Sequence, residues 1–345
     1  MSTILENLIC SCGENSSLKF NDNEFSCSLC NAKYCESDGV IRLNTVLNEE
    51  HKDIQKFWGD LYQQLYSSHQ SISELNLELL LPELANYEKE SGHCIGNEII
   101  VDQVEGKSIL EIGCGAGAHS SIFKSNFSNL VSLDITPERI LSTSIKLDSL
   151  SGGQHKCIEG NAEHIPFKKN TFDFVYSFGV LHHSTDDKLA IKEAVRVCKK
   201  GGDIVLMLYA KYSFMYFMYL IWFGYIKGYK SKYGKNWLGP ATEGVPKNND
   251  VPNPFTRAYS KKELIKIFNS LGEFDQISIR KGGFWFHQLP IIGKLVENFL
   301  IKSGIGKYTD AGYLVWEGPV RKKLWVEHFI GYILGWNLYI KLKKK

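Results

Sequence analysis

Residues Ser108 to Gly117 read S-I-L-E-I-G-C-G-A-G, and this stretch decides the fold class. A short apolar run, typical of a buried parallel strand, leads into three glycines at alternate positions, Gly113, Gly115 and Gly117. Because glycine has no Cβ, the backbone can turn sharply there and approach a ligand closely. The unpaired N–H groups at the start of a following helix attract polar or anionic ligand groups. The stretch therefore predicts a strand, a turn and a helix with a ligand at the turn.

The glycine spacing alone leaves the ligand open. Gly113-x-Gly115-x-x-Ala118 also fits the fingerprint of dinucleotide-binding folds. A tight turn with no ligand is a further alternative. The segments that follow have to decide between these interpretations.

Strand-like and helix-like patterns alternate from Lys107 to about Lys211. Such alternation predicts an α/β fold with a parallel sheet and helices on both faces. The predicted strands are 108–113, 130–134, 155–159, 172–177 and 203–209. The predicted helices are 118–126, one that starts at Pro137 after a Thr136 cap, and 185–199, which Gly201 and Gly202 end.

Polar residues follow the predicted strands at their carboxyl ends, where open α/β sheets bind ligands. Asp134 ends the second strand, and a carboxylate there accepts hydrogen bonds from both hydroxyls of a ribose. Asn161-Ala162-Glu163 follows the third strand and offers an amide and backbone groups to an adenine edge. Phe178-Gly179 follows the fourth strand beside the glycine turn. Together these residues form a set of contacts suited to a nucleoside.

Five motifs, in this order, resemble the small-molecule branch of the class I S-adenosylmethionine-dependent methyltransferases. They are I-L-E-I-G-C-G-A-G, L-D-I-T-P-E, G-N-A-E-H-I-P-F, F-D-F-V-Y-S-F-G-V-L-H-H and the K-K-G-G-D start of the fifth strand. The resemblance covers about Lys107 to Tyr209. It implies a Rossmann-like seven-stranded sheet, S-adenosyl-L-methionine as the cofactor and methyl transfer as the reaction.

The resemblance also implies roles for individual residues. Gly113 to Gly117 line the methionine part of the cofactor, Asp134 holds the ribose, and Asn161 with Ala162 flanks the adenine. Asn161 departs from the commoner aspartate, yet an amide still donates and accepts hydrogen bonds. The full cofactor-binding set is Glu111, Gly113, Cys114, Gly115, Gly117, Asp134, Ile135, Asn161, Ala162 and Phe178.

Two adjacent histidines, His182 and His183, are the best-placed candidates for a general base. Methyl transfer depends mainly on alignment of the reacting atoms, but an O–H or N–H acceptor needs a base to take its proton. Neutral imidazole is available near pH 7. The alternative is a structural pair, with one ring capping the next helix and the other packed.

Five of the nine cysteines precede residue 36, which favours a metal site over disulfides. Cys27 and Cys30 form a C-x2-C knuckle, and Cys10 with Cys12 is its candidate partner. Residues 8–43 resemble the short zinc ribbons fused to or partnering methyltransferases. Four cysteines predict a closed, structural zinc site, with Cys35 as the reserve ligand for Cys12. A degenerate ribbon that folds without metal is the alternative.

The predicted domains are a zinc-ribbon-like module at 1–44, a helical linker and cap at 45–106, and a methyltransferase domain at 107–288. An insertion at 211–254 interrupts this domain. Its apolar run, 214–226, is too short to cross a bilayer, and 227–253 reads as a loop. We expect the insertion to form a lid over an apolar acceptor pocket.

The remaining residues, 289–345, are predicted to be an extension that contains the last antiparallel strand, 313–317, and an apolar helix over 324–340. That helix is expected to be buried against the body or a partner subunit in an oligomer. The alternative is an interfacial helix that the terminal lysines hold on anionic lipid, giving peripheral membrane contact through 324–345. The cysteines and the start of the chain, which lacks a secretory pattern, favour a cytoplasmic setting.

Taken together, the patterns predict methyl transfer to a small apolar or aromatic acceptor, with oxygen, nitrogen and carbon nucleophiles all open. A nicotinamide-dependent oxidoreductase and an RNA methyltransferase that grips nucleic acid with the ribbon are the alternatives. A non-catalytic module with the same fold is a third. The formal charge of +2 gives no electrostatic case for nucleic acid as a partner.

Overall fold

The computed structural model describes residues 2–10, 12–13, 16–21, 24–43, 47–66, 93–126, 128–243, 252–284, 294–295, 298–299, 301–303, 306–308, 314–316 and 324–345. The helical region expected over 73–104 falls largely outside these ranges. Its described end contains the 3-10 helix Val101–Gln103.

The described strands are β1 (Leu18–Asn21), β2 (Glu24–Cys27), β3 (Lys33–Ser37), β4 (Val40–Arg42), β5 (Ser108–Ile112), β6 (Asn129–Asp134), β7 (His155–Glu159), β8 (Phe172–Phe178), β9 (Cys198–Ala210), β10 (Ala258–Tyr259), β11 (Phe274–Gly282), β12 (Gly306–Tyr308), β13 (Leu314–Trp316) and β14 (Asn337–Lys344). The described α-helices are α1 (Ser2–Leu5), α2 (Glu49–Tyr66), α3 (Ala118–Ser125), α4 (Pro137–Asp148), α5 (Asp187–Val197), α6 (Phe214–Tyr219), α7 (Tyr229–Tyr233), α8 (Leu238–Thr242), α9 (Lys261–Leu271) and α10 (Trp325–Leu334).

Twelve strands form one sheet, in the order β1-β2-β3-β4-β7-β6-β5-β8-β9-β14-β11, with β10 beside β9. Its part from β7 to β11 is the predicted seven-stranded Rossmann-like sheet, which is thereby confirmed. The strands from β7 to β9 run parallel, whereas β14 runs antiparallel to both of its neighbours. The apolar runs of β5 and β6 are buried, as expected for strands covered on both faces.

The N-terminal module extends this sheet rather than standing apart from it. Strands β1 to β4 form an antiparallel meander, and β4 then pairs in parallel with β7. The Arg42 guanidinium lies 2.5 Å from the Glu159 carboxylate across the junction. Apolar residues of the module, among them Phe25 and Ile41, belong to the same core as the central strands. The first 43 residues therefore share a hydrophobic core with the methyltransferase sheet.

The prediction for the last strand was wrong. Residues 314–316 pair only with β12 in a separate two-stranded sheet, and the sheet is completed instead by β14. The predicted apolar helix is correspondingly short, because α10 ends at Leu334 and Gly335 precedes the strand. Leu338, Ile340 and Leu342 are fully buried between β9 and β11. The terminal lysines thus lie in or next to a strand of the sheet.

Two further boundaries differ from the prediction. Helix α5 ends at Val197, and Gly201 and Gly202 lie inside the long strand β9 instead of ending the helix. The segment expected to be a loop after Ile226 contains α7 and α8 and packs Trp237 into a small apolar cluster. Helix α9 starts after Ser260, whose side chain forms a capping box with Glu263.

Among the helices of the described ranges, none combines the length and the apolarity that crossing a bilayer requires. Helix α2 covers one rim of the sheet at the carboxyl ends of its strands. The Gln55 side chain donates a hydrogen bond of 2.7 Å to the Ile135 carbonyl there.

Candidate active site

A cavity of about 300 Å³ opens at the carboxyl ends of β5, β6, β7 and β8. This edge is where the sequence predicted a ligand. Nine of the ten predicted cofactor-binding residues line the cavity: Glu111, Gly113, Cys114, Gly115, Asp134, Ile135, Asn161, Ala162 and Phe178. Gly117 does not line it. A Cβ on Gly117 would lie 2.9 Å from the Thr143 hydroxyl, so this glycine permits α3 to pack on α4.

Two positions of the glycine turn require glycine for different physical reasons. Gly113 has a φ of +74°, and a Cβ there would lie 2.3 Å from a methyl of Val180. Gly115 has a φ of +56°, and its N–H donates a hydrogen bond of 2.9 Å to an Asp134 oxygen. Side chains at either position would be strained, because L-residues rarely adopt these φ values. The turn therefore keeps backbone groups at the cavity wall.

The Asp134 carboxylate is held in a fixed orientation. One oxygen accepts from the Gly115 N–H and the other from the Thr136 N–H, each over 2.9 Å. Burial raises the pKa of Asp134 above its usual value, although the charge of Arg139 and these N–H groups oppose the change. A carboxylate oxygen has further lone pairs, so both oxygens can still accept hydrogen bonds from a ligand.

Glu111 is a second buried carboxyl in the cavity wall, 2 % exposed. Burial raises its pKa to about 7, while His119 and a hydrogen bond from the Ser120 hydroxyl lower it. The carboxyl therefore changes charge near neutral pH. An ammonium group bound beside it would favour the ionised form.

Replacing Glu111 with Gln is expected to stabilise the ligand-free protein at pH 8 by about 3 kcal/mol. The folded protein keeps a proton between pH 4.5 and about 7 that the unfolded chain releases, so stability falls as pH rises through this window. Because glutamine does not titrate, the Glu111→Gln variant does not lose stability over this pH window. Urea unfolding at pH 4.5 and pH 8 measures it, with exposed Glu105→Gln as the matched control. An equal gain at both pH values would contradict the assignment.

Asn161 lines the cavity, and one of its two side-chain polar groups has a partner within the chain. Its Oδ1 accepts from the Glu163 N–H over 2.9 Å. Its Nδ2 is buried and has no hydrogen-bond partner among the residues that the structure describes. A buried donor without a partner costs free energy, so a ligand acceptor at this point would stabilise the site. An amide donor here fits a ring nitrogen of adenine.

Helix α2, which belongs to the predicted helical linker and cap at 45–106, contributes a wall of the cavity. His51, Ile54 and Trp58 line the cavity. The His51 ring lies 3.1 Å from the Glu163 carboxylate, and the Arg139 guanidinium lies 5.2 Å from the centre of the Trp58 ring. The near-helical spacing of these residues predicted the helix, but spacing within a helix does not reveal which element it faces.

The two histidines have different surroundings. His183 lines the cavity, and its Nδ1 lies 3.1 Å from the Phe255 carbonyl oxygen. The Asn253 amide nitrogen also lies 3.1 Å from Nδ1; in the tautomer that donates from Nδ1 to the Phe255 oxygen, the lone pair is on Nε2, which lies 3.9 Å from Glu243. Burial lowers the pKa of His183, although Glu243 opposes the change, so the ring is neutral at pH 7. A neutral Nε2 is able to accept a proton.

His182 does not line the cavity. It is fully buried, and both of its ring nitrogens lack hydrogen-bond partners within the described part of the chain. Its ring lies 4.0 Å from that of Tyr209 and 4.2 Å from that of His183. Burial lowers the pKa of His182 well below its ordinary range. This ring packs as a neutral aromatic group.

The four predicted zinc ligands lie together. The sulfurs of Cys10, Cys12, Cys27 and Cys30 all lie within 4.8 Å of one another. Cys35 is exposed on β3 and is not part of this group of described cysteines. The Tyr34 hydroxyl lies 2.9 Å from the Cys10 sulfur, and the Leu29 N–H lies 3.3 Å from the Cys27 sulfur.

Comparison with known proteins agrees with this geometry. Residues 110–206 match the family described as "Methyltransferase domain". Demethylmenaquinone methyltransferase of Bacillus cereus strain AH187 is 28% identical over 189 residues, which cover 49% of this chain and 76% of that protein.

Two solved structures are similar over most of the chain. Magnesium protoporphyrin IX methyltransferase from Synechocystis PCC 6803 has a TM-score of 0.45 and 10% identity, over 86% of this chain and 100% of that one. Phosphoethanolamine N-methyltransferase 2 of Haemonchus contortus has a TM-score of 0.46 and 16% identity, over 87% and 61%.

The fold and the matched segment define a class I methyltransferase domain. The chain is therefore an S-adenosylmethionine-dependent methyltransferase, as the order of its motifs predicted.

Proposed function

We propose that this enzyme transfers a methyl group to a small, apolar or aromatic acceptor that lies between the cofactor cavity and the insertion. The observation that carries the proposal is the wall of the cavity itself. The residues predicted to contact the nucleoside line the same space as His183, and aromatic rings continue from it towards the insertion.

S-adenosyl-L-methionine fits the residues of this cavity. Asp134 would hold the ribose hydroxyls, and the free amide donor of Asn161 would meet the adenine with Ala162 beside it. The turn from Gly113 would face the methionine part, and the Glu111 carboxyl would pair with its ammonium group. When bound, the cofactor supplies an electrophilic methyl group on a sulfonium.

The region proposed for the acceptor is lined with aromatic rings. The ring centres of Trp58 and His183 lie 5.0 Å apart, and those of Tyr209 and Trp336 lie 4.4 Å apart. The ring centre of Trp336 lies 5.6 Å from that of Tyr219 in the insertion. Such surfaces favour planar or aliphatic molecules over charged ones. The relatives are named for a quinone, demethylmenaquinone, which agrees in chemical class.

His183 is the proposed general base for an O–H or N–H acceptor. Its Nε2 would take the acceptor proton as the new bond to the methyl carbon forms. The neighbouring Glu243, which also accepts a 2.8 Å hydrogen bond from the Tyr209 hydroxyl, would stabilise the imidazolium. His182 would support the ring by packing.

We expect His183→Gln to lower kcat by about 100-fold or more, because a positioned base is worth roughly two to four orders of magnitude. His182→Phe, which keeps the stacking, should lower kcat far less. The assay follows a labelled methyl group from S-adenosylmethionine into demethylmenaquinol, a catechol or an RNA transcript. Transfer to RNA in preference to either aromatic would contradict the proposed acceptor class. Equal loss in both variants would contradict the base.

The cysteine group is proposed to hold one structural zinc ion. Tetrahedral zinc with bonds of about 2.3 Å separates its sulfur ligands by roughly 3.8 Å. The distances of 3.5 Å from Cys10 to Cys30 and from Cys12 to Cys27 agree with this spacing. Four cysteines leave no open position for a substrate, so the metal would stabilise the module rather than react.

A further inference from the structure

The insertion carries an apolar helical face that nothing in the described chain covers. Five large side chains along its helical stretch, which comprises α6 and the π-helix Leu220–Ile226, are 44–64% exposed: Phe217, Ile221, Trp222, Tyr225 and Ile226. Their spacing of four, five, eight and nine residues puts them on one side of a helix. We call this set the insertion face. Contiguous exposed apolar surface of this kind marks a binding surface.

The opposite side of the same stretch is already used. Tyr216, Tyr219, Leu220 and Phe223 pack with Trp237 and Trp336 in the small apolar cluster of the insertion. The exposed side chains therefore cannot be accounted for by packing within the insertion. They form a second apolar face on a helical stretch whose first face is half-buried in that cluster.

Helix α10 presents a similar outward face. Trp325, Phe329, Tyr332 and Ile333 are 50–79% exposed and follow helical spacing. Lys281 joins the two elements, because its ammonium lies 3.0 Å from the Tyr212 carbonyl and 3.1 Å from the Ile333 carbonyl. The end of α10 and the start of the insertion are therefore neighbours.

The charged residues along the stretch that carries the insertion face are lysines, and the first acidic residue, Glu243, follows this stretch. Residues 211–242 contain five lysines and no aspartate or glutamate, in a chain whose formal charge is only +2. Lys227 lies 5.8 Å from the centre of the Trp222 ring, and Lys230 lies 4.7 Å from that of Tyr225. Exposed aromatic and aliphatic groups bordered by lysines are the composition of a surface that enters the headgroup region of an anionic bilayer.

We propose that the insertion face and the outer face of α10 dock this enzyme on an anionic lipid bilayer. The bilayer is favoured over a second copy of the chain, because a symmetric dimer through this face would bring the lysines of both copies together. This contact shares α10 with the one expected for 324–345, but it does not use the terminal lysines. The terminal lysines lie in or next to a strand of the sheet, and the Lys344 ammonium donates a hydrogen bond of 2.7 Å to the Cys198 carbonyl oxygen.

The proposal is independent of the identity of the acceptor, since binding is measured without methyl donor. The full-length protein is sedimented with vesicles of phosphatidylcholine alone and with vesicles that contain 30% phosphatidylglycerol. We expect binding to the anionic vesicles, weaker binding as salt rises, and little binding to phosphatidylcholine. No binding to anionic vesicles, or equal binding to both, would overturn the proposal.

Matched variants locate the surface. Reversing Lys227, Lys230 and Lys232 to Glu should lower the partition coefficient at least about 100-fold. The same change at the exposed Lys188, Lys192 and Lys266 should lower the partition coefficient much less.

The apolar part of the surface is tested separately. Ile226→Ser should weaken binding several-fold, whereas Ile145→Ser, which alters an equally exposed residue, should not. Loss of binding in the control variants as large as in the test variants would contradict the assignment. Dimerisation that Ile226→Ser abolishes, without vesicle binding, would assign the face to a second copy.

Discussion

A chain that ends at Gly335 is expected to lose its cooperative fold. The deletion removes β14, the strand that separates β9 from β11 and pairs with both. Its three fully buried aliphatic residues alone are worth roughly 5–9 kcal/mol, which approaches the whole stability of a typical domain. Filling the gap would require β11 to move across the sheet. We expect the truncated protein to aggregate or to unfold without a sharp transition.

Deletion of Lys345 alone is the matched control. Its side chain pairs with Glu273 on the surface, where both groups are more than 60% exposed, so little stability depends on it. Urea unfolding followed by circular dichroism compares the three chains. A protein truncated after Gly335 with an unchanged, cooperative transition would show that β14 does not complete the sheet.

Replacing Cys27 with Ser is expected to remove the metal and to unfold the N-terminal module. Structural zinc in small cysteine sites contributes about 10–16 kcal/mol of apparent binding free energy, and β2 carries this ligand directly. The shared core retains part of the module, but β1 to β3 join the central strands of the sheet only through β4 in the strand order. The isolated protein should contain about one zinc ion per chain, and the Cys27→Ser variant should contain none.

Cys35→Ser provides the control, since Cys35 lies on the neighbouring strand outside the sulfur group. This variant should keep its zinc and its thermal midpoint. Metal analysis and thermal unfolding measure both quantities. Loss of zinc from Cys35→Ser, or wild-type protein that is stable and free of metal, would contradict the zinc proposal.

The central sheet could be predicted from the sequence, because its strands are apolar throughout and each ends in a polar or glycine residue. The glycine turn after β5 and Asp134 after β6 mark positions that only a ligand edge requires. The same logic grouped nine residues that now line one cavity. Local sequence therefore predicted this part of the fold.

The last strand was missed for an identifiable reason. Leu338, Ile340 and Leu342 alternate with other residues, which is a strand pattern. The aromatic-rich helix directly before them, together with the lysines between and after them, made the whole tail look helical. Only Gly335 separates the two patterns. A strand whose partners lie about 60 and 130 residues earlier in the chain carries no local signal of where it pairs.

The exposed insertion face and the wall formed by α2 were beyond sequence reasoning for a related reason. An apolar helix side predicts burial, but the sequence does not say whether protein, ligand or lipid covers it. Trp58 and Trp222 look alike in sequence. The structure puts the first in the cavity wall and leaves the second half-exposed.

The central claim is that the cavity at the carboxyl ends of β5 to β8 holds S-adenosylmethionine, with Asp134 as a main contact. Isothermal titration of the full chain with S-adenosylmethionine and with NAD tests it most directly. We predict one S-adenosylmethionine per chain, no binding of NAD, and affinity at least about 10-fold weaker in Asp134→Ala but unchanged in exposed Asp102→Ala. Binding of NAD in place of S-adenosylmethionine, or full affinity in Asp134→Ala, would contradict the account.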